Sequence, residues 1–268
     1  MWPDFSWLSP MVWPTRGHNA GQLRALHAYV VIKMLPLRTT LQRMSTYLDH
    51  YCERVAAGAW GEPVNTLSNL AFIVAACWAL GAWQRSELGL RRGAVILLLI
   101  ALIFSIGIGS GVWHLQATPW AIWLDVIPIL LFINVYLLAT LAYGLHWRWF
   151  EVLAGWLAYQ LCNQCLASSM PADTLNGSVF YLPTWLALAL LALAHRRIAP
   201  AMARAFWRGW LLFSVSLLFR TFDARWCGTF PLGTHFLWHL LNALLLGSLT
   251  LALLKLRTAA IRPWRSPA

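Results

Sequence analysis

The sequence predicts an all-α fold: an integral membrane bundle of seven transmembrane helices preceded by an N-terminal amphipathic leader. Three observations carry that expectation. The chain is 60% hydrophobic and only 11% charged, whereas soluble domains are about 25% charged. Seven apolar windows approach the roughly 20 residues needed to cross a hydrocarbon core. Basic residues collect after alternate windows. Inside hydrocarbon each backbone amide must be satisfied within its own segment, so helices are the expected element.

The windows are Val64–Gln84, Gly93–His114, Trp120–Gly144, Phe150–Ala167, Val179–His195, Trp207–Phe222 and His235–Lys255. The sixth is the shortest. Trp120, Trp147, Trp149 and Trp207 fall near window ends, where indoles anchor a span at the interface.

The net charge is +11, and its distribution points to a membrane rather than to nucleic acid. Arg85, Arg91 and Arg92 follow the first window, and Arg148 follows the third. Arg196, Arg197, Arg204 and Arg208 follow the fifth, and Lys255, Arg257, Arg262 and Arg265 follow the seventh. The loops Leu115–Pro119 and Ser168–Ser178 hold no Lys or Arg. This alternation places the C-terminus in the cytoplasm and, with seven spans, the N-terminus outside.

Residues 1–48 form the leader. Met1–Pro14 lacks a basic stretch and carries Asp4, unlike a signal peptide. Leu23, Leu26, Val30, Met34, Leu37, Leu41, Met44 and Leu48 recur every three or four positions, with Arg24, Lys33, Arg38 and Arg43 between them. That is the pattern of an amphipathic helix lying on a bilayer, interrupted at Pro36. The alternative is a translation start at Met34 or Met44. Residues 49–256 then form the membrane domain, and residues 257–268 form a basic cytoplasmic tail.

Ionisable groups near a span are costly and are functional candidates by default. Ser110 and His114 end the second window four residues apart, so they share a helix face. Asp125 lies in the second turn of the third window. His235 and His239 open the seventh, again four apart. Counting spans puts all five at the outer end of the bundle. Three imidazoles at one depth fit a Zn²⁺ set with a fourth position for water, although each histidine alone fits an interfacial or hydrogen-bonded residue as well. A second cluster, Asp49, Glu53 and Glu62, precedes the first window, and its hard oxygens suit Ca²⁺. A solvated acidic loop capping the first helix fits the same spacing. Cys52 and Cys227 both fall outside the membrane, where a disulfide can form.

Three blocks resemble the alkaline ceramidase family: YCER…WGEPVNTLSNLAF, GSGVWH…LD and FDARWC…THFLWH. They occur in the family's order and span residues 49–250. That family consists of seven-helix membrane hydrolases related to adiponectin-type receptors. The resemblance implies that His114, His235 and His239 hold zinc and that Asp125 holds its water, and Ser110 falls on the family's serine, placed to donate a hydrogen bond to a tetrahedral oxyanion. It further implies calcium near Glu53 and Glu62, and a Cys52–Cys227 link. The acidic run departs from the eukaryotic pattern. Its aspartate, Asp49, is displaced by one residue, and Val55 stands where an amide ligand would be. The histidine set matches throughout.

The function expected from the resemblance is a zinc amidase releasing a fatty acid and a sphingoid base from a ceramide-like lipid. Two further readings stay open at the sequence level. One is a zinc hydrolase of another lipid, either an ester or a different N-acyl lipid. The other is a lipid receptor in which zinc only staples helices. Arg outnumbers Lys eighteen to two, as in GC-rich genomes. The expected location is a bacterial inner membrane with the site facing the periplasm.

Overall fold

The third apolar window becomes the first constraint on how the helices pack. The helix Ala121–Ala139 contains Pro128, which has no N–H to return to the carbonyl four residues earlier, that of Leu124. The neighbouring helix meets that freed carbonyl with Gly109. A Cβ there would collide with the Leu124 oxygen, so only glycine permits this approach. The pairing sets Ser110 of one helix beside Asp125 of the next.

The computed structural model describes residues 48–54, 58, 60–171 and 173–260. Residues 1–47 of the leader and residues 261–268 of the tail are outside the described residues. The helices are α1 (Pro63–Ser68), α2 (Leu70–Gln84), α3 (Leu90–Gln116), α4 (Ala121–Ala139), α5 (Trp149–Ser169), α6 (Leu182–His195), α7 (Pro200–Trp226) and α8 (His235–Ala259). A π turn, Thr140–Gly144, extends α4, and a 3-10 turn, Ser178–Tyr181, leads into α6. The described residues contain no strand.

Five stretches are long and apolar enough to cross a membrane: Pro63–Gln84, Leu90–Gln116, Ala121–Gly144, Ser178–His195 and His235–Ala259. They match the first, second, third, fifth and seventh windows. The fourth and sixth windows are helical as α5 and α7, yet neither reaches the apolarity of the other five. Helix α7 carries Arg204, Arg208, Arg220, Asp223 and Arg225. At 1.5 Å per residue, the 27 residues of α7 reach about 40 Å.

The first window is one span by composition but breaks locally at Asn69, between α1 and α2. The cause lies in its side chains. Ser68 Oγ and Asn69 Nδ2 both donate to the Asn65 carbonyl, each at 2.8 Å. They take the place of the Asn69 amide, which turns to Thr66 O at 3.3 Å. Polar side chains that bond their own helix divert its ladder in this way.

Helices α3 and α8 form the core. Ile96, Leu99, Ile103 and Ile106 of α3 and Leu249 and Leu253 of α8 are buried. Tyr136 of α4 donates to the Leu249 carbonyl at 2.9 Å, satisfying a phenol that would otherwise be buried alone. The outer surface is apolar, with Val74, Leu98, Ile108, Leu131, Leu161 and Leu190 exposed. So large an apolar exterior requires a lipid or protein partner.

Candidate metal centre

The site forms where the end of α3, the start of α4 and the start of α8 meet. Only four residues, Ala117 to Trp120, join α3 to α4. Ala117 makes that turn in the left-handed region at φ 45°. The segment 48–54 crosses the same end of the bundle.

Helix α8 is pinned at its first turn by a residue of α7. Asp223 is fully buried. Its Oδ1 accepts from the amides of Thr234 at 2.5 Å and His235 at 2.9 Å. Its Oδ2 accepts from the Cys52 amide at 3.2 Å. The first amides of a helix lack internal partners, and Asp223 supplies them while favouring the helix dipole. Gly233 (φ 64°) precedes this turn, and a Cβ there would collide with Asp223 Oδ1. The Cys52–Cys227 disulfide, Cα to Cα 5.1 Å, fastens the 48–54 segment to the end of α7. The disulfide expected from the sequence is therefore present.

With α8 so placed, His114, His235 and His239 come together and are buried. One ring nitrogen from each lies within 4.8 Å of the others, and this is the group among the described residues with metal-holding geometry. Ring centroids are 4.6 Å apart for His235 and His239, 4.7 Å for His114 and His239, and 5.2 Å for His114 and His235.

The tautomers follow from the neighbours. Glu62 Oε2 accepts from His114 Nδ1 at 2.5 Å. Ser68 Oγ lies 2.7 Å from His239 Nδ1, with Asn69 Nδ2 farther away at 3.5 Å; while the Ser68 proton is on the Asn65 carbonyl, the serine oxygen is the acceptor for this ring. In that arrangement both Nδ1 atoms carry the proton and both Nε2 atoms present lone pairs. Those two Nε2 atoms face each other at 3.1 Å. Nitrogens about 2.05 Å from one tetrahedral ion stand about 3.3 Å apart. His235 Nδ1 is buried with no hydrogen-bond partner. Two Nε2 atoms this close, beside a histidine with an unsatisfied buried nitrogen, are an arrangement that a shared cation relieves. The residues therefore fit a metal ion.

Ser110 is buried beside this group. Asp125 is half-buried and interacts with Ser110, His114 and Arg220. The acidic residues expected as a second metal set are disposed differently. Glu53 is buried and accepts from the amides of Val64 at 2.6 Å and Asn65 at 2.7 Å. Glu62 is held by Arg54, His114 and Asn65. Asp49 is exposed. These three do not form a metal-holding group among the described residues. Burial alone would raise the Glu62 carboxyl. The bonds from His114, Arg54 and Asn65 prevail and hold it below its ordinary range.

Several residues of the site have no counterpart in the sequence reading. Tyr51 stacks on His235 at 3.8 Å, and burial raises its phenol above the ordinary value despite the nearby Arg220 charge. Arg220 lies over the rings of Trp238 at 5.3 Å and Tyr181 at 5.5 Å. Tyr181 also lines an apolar cavity of ≈ 80 Å³ bounded by Phe132, Tyr159, Leu188, Phe213 and Leu249. Asp223 had a usable signal, since a lone carboxylate in the run LLFRTFDARWC is costly without a partner.

Fold and site together define a helical protein of membrane type with a buried histidine triad able to hold a metal ion. The chain matches no protein-family model, and a search of curated proteins found none similar to it.

Proposed function

We propose that this chain is an intramembrane zinc amidohydrolase acting on the N-acyl amide of ceramide-like lipids. The observation that carries the reading is the pair of facing Nε2 atoms on His114 and His239, completed by His235, in a wall that also holds Ser110 and Asp125. The family resemblance supplies the substrate class. In this reading α5 and α7 complete seven spans, with the site on the non-cytoplasmic side of a bacterial inner membrane and the C-terminus in the cytoplasm. The apolar exterior and the cavity beneath Tyr181 support a lipid substrate, whose chains stay among helices while the amide reaches the polar end.

When bound, zinc supplies Lewis acidity, which polarises a carbonyl and lowers the pKa of water to about 7. Asp125 accepts the proton of the attacking water as general base. Ser110 donates a hydrogen bond to the oxyanion that develops at the carbonyl, a contact worth about 3 kcal/mol. Asp125 then returns the proton to the leaving nitrogen as the carbon–nitrogen bond breaks. The products are a fatty acid and a sphingoid base.

The staple reading requires four protein ligands. Three side chains make up the group among the described residues, which favours a catalytic centre with a position left for water or substrate. The test is turnover. Purified protein should release fatty acid from a short-chain ceramide analogue, and His235→Ala should abolish release. Asp125→Asn should lose activity while keeping its metal. Wild-type turnover in either variant contradicts the mechanism. Release from ester lipids but not from amides assigns the other substrate class.

A further inference from the structure

The 48–54 segment, with its three carboxylates nearby, calls for a cation, and the chain carries one of its own. Arg54 has a fully buried side chain. Its Nε donates to Glu62 Oε1, its Nη2 donates to the backbone carbonyl of His114, and its Nη1 donates to Gly58 O at 3.4 Å. The other Glu62 oxygen accepts from His114 Nδ1. One guanidinium therefore reaches His114 twice: at its carbonyl directly, and at its ring through Glu62.

We propose that Arg54 is the built-in cation of this centre: it positions the metal-facing nitrogen of His114 and takes the place of a calcium ion. Calcium needs six to eight oxygen ligands. Here each Glu53 oxygen already accepts a backbone amide, Glu62 is divided between Arg54, Asn65 and His114, and Asp49 is exposed. A divalent ion among them would also face the fixed Arg54 charge at close range. The guanidinium is permanently charged and offers a rigid fork. Carboxylates that accept from a ligand imidazole fix its tautomer and raise its basicity, and Arg54 fixes the carboxylate.

The metal-affinity half of this inference rests on the zinc reading, and the calcium half does not. The full-length protein in detergent is dialysed free of divalent ions and then exposed to millimolar calcium chloride. Wild type should bind no calcium by equilibrium dialysis, and its Tm should not move. Stoichiometric calcium binding overturns the proposal whether or not the chain holds zinc. In the second arm, zinc affinity is measured by chelator competition for wild type, Arg54→Met and Arg54→Lys. Loss of an outer-shell partner costs about 10–100-fold in metal affinity. We expect that loss in Arg54→Met and a partial return in Arg54→Lys, which keeps the charge without the fork. A lower Tm with unchanged zinc affinity marks Arg54 as merely structural and overturns the proposal. Should Arg54→Met not fold, Arg54→Lys decides alone, and wild-type zinc affinity in it is the contrary result.

Discussion

The Nε2 atoms of His114 and His239 face each other at 3.1 Å across 125 residues of chain. Neither carries a proton when Glu62 and Ser68 accept from the opposite ring nitrogens. That relationship ties the end of α3 to the second turn of α8, and the predictions below follow from what holds it.

Ser68 sets the tautomer of His239 from outside the triad. Ser68→Ala removes the acceptor at Nδ1 and should weaken zinc binding by about 10–100-fold. Ser68 is only half-buried, so the Tm of the metal-free protein should hardly change. Zinc competition titration alongside thermal unfolding checks both halves. Equal zinc affinity in the variant contradicts the assignment.

Asp223 accepts three backbone bonds, two of them buried and the one from Cys52 partly so. Each buried donor left without a partner costs about 1–3 kcal/mol. Asp223→Ala should therefore destabilise the protein by about 3 kcal/mol or more, and Asp223→Asn by less. The alanine variant should also lose metal, because His235 is the first residue of the helix that Asp223 caps. Thermal unfolding and metal content of the two variants test this.

Gly109 admits the Leu124 carbonyl between α3 and α4. Gly109→Ala forces the helices apart, and overpacking of this kind costs about 1–3 kcal/mol. Ser110 and Asp125 are the next residues on either side. Turnover should fall while the three histidines keep their metal. A variant with full activity shows that the helix spacing does not position this pair.

The Cys52–Cys227 disulfide closes a separation of 175 residues. Cross-links of native proteins are typically worth about 2–4 kcal/mol. The Cys52→Ser, Cys227→Ser double variant should lose stability on that scale. It should also free Tyr51 from its stack on His235, read as a change in tyrosine fluorescence anisotropy or in hydrogen exchange of residues 48–54.

Much of this was legible in the residue pattern. Hydropathy marks spans because lipid accepts only apolar, self-bonded helices, and five of the seven windows recur as helices of that kind. His114, Asp125, His235 and His239 stood out because ionisable groups are rare in such runs. The triad became three-dimensional only through partners whose role depends on distant chain. Ser68 reads as an ordinary helix serine until α8 brings His239 to it. Asp223 reads as an interfacial charge until the Thr234 and His235 amides arrive. Glu62 looks like an oxygen ligand for calcium by spacing, yet it meets Arg54 on one side and His114 on the other. The α1–α2 break at Asn69 was also hidden, since it depends on two side chains competing for one carbonyl.

Metal content per chain tests the central claim most directly. Protein purified without added chelator should carry about one zinc ion per chain by elemental analysis, in keeping with a three-histidine site. His114→Ala, His235→Ala and His239→Ala should each lose it while the helical content stays the same. A wild-type chain that takes up no transition metal, or histidine variants that keep a full equivalent, would contradict the account.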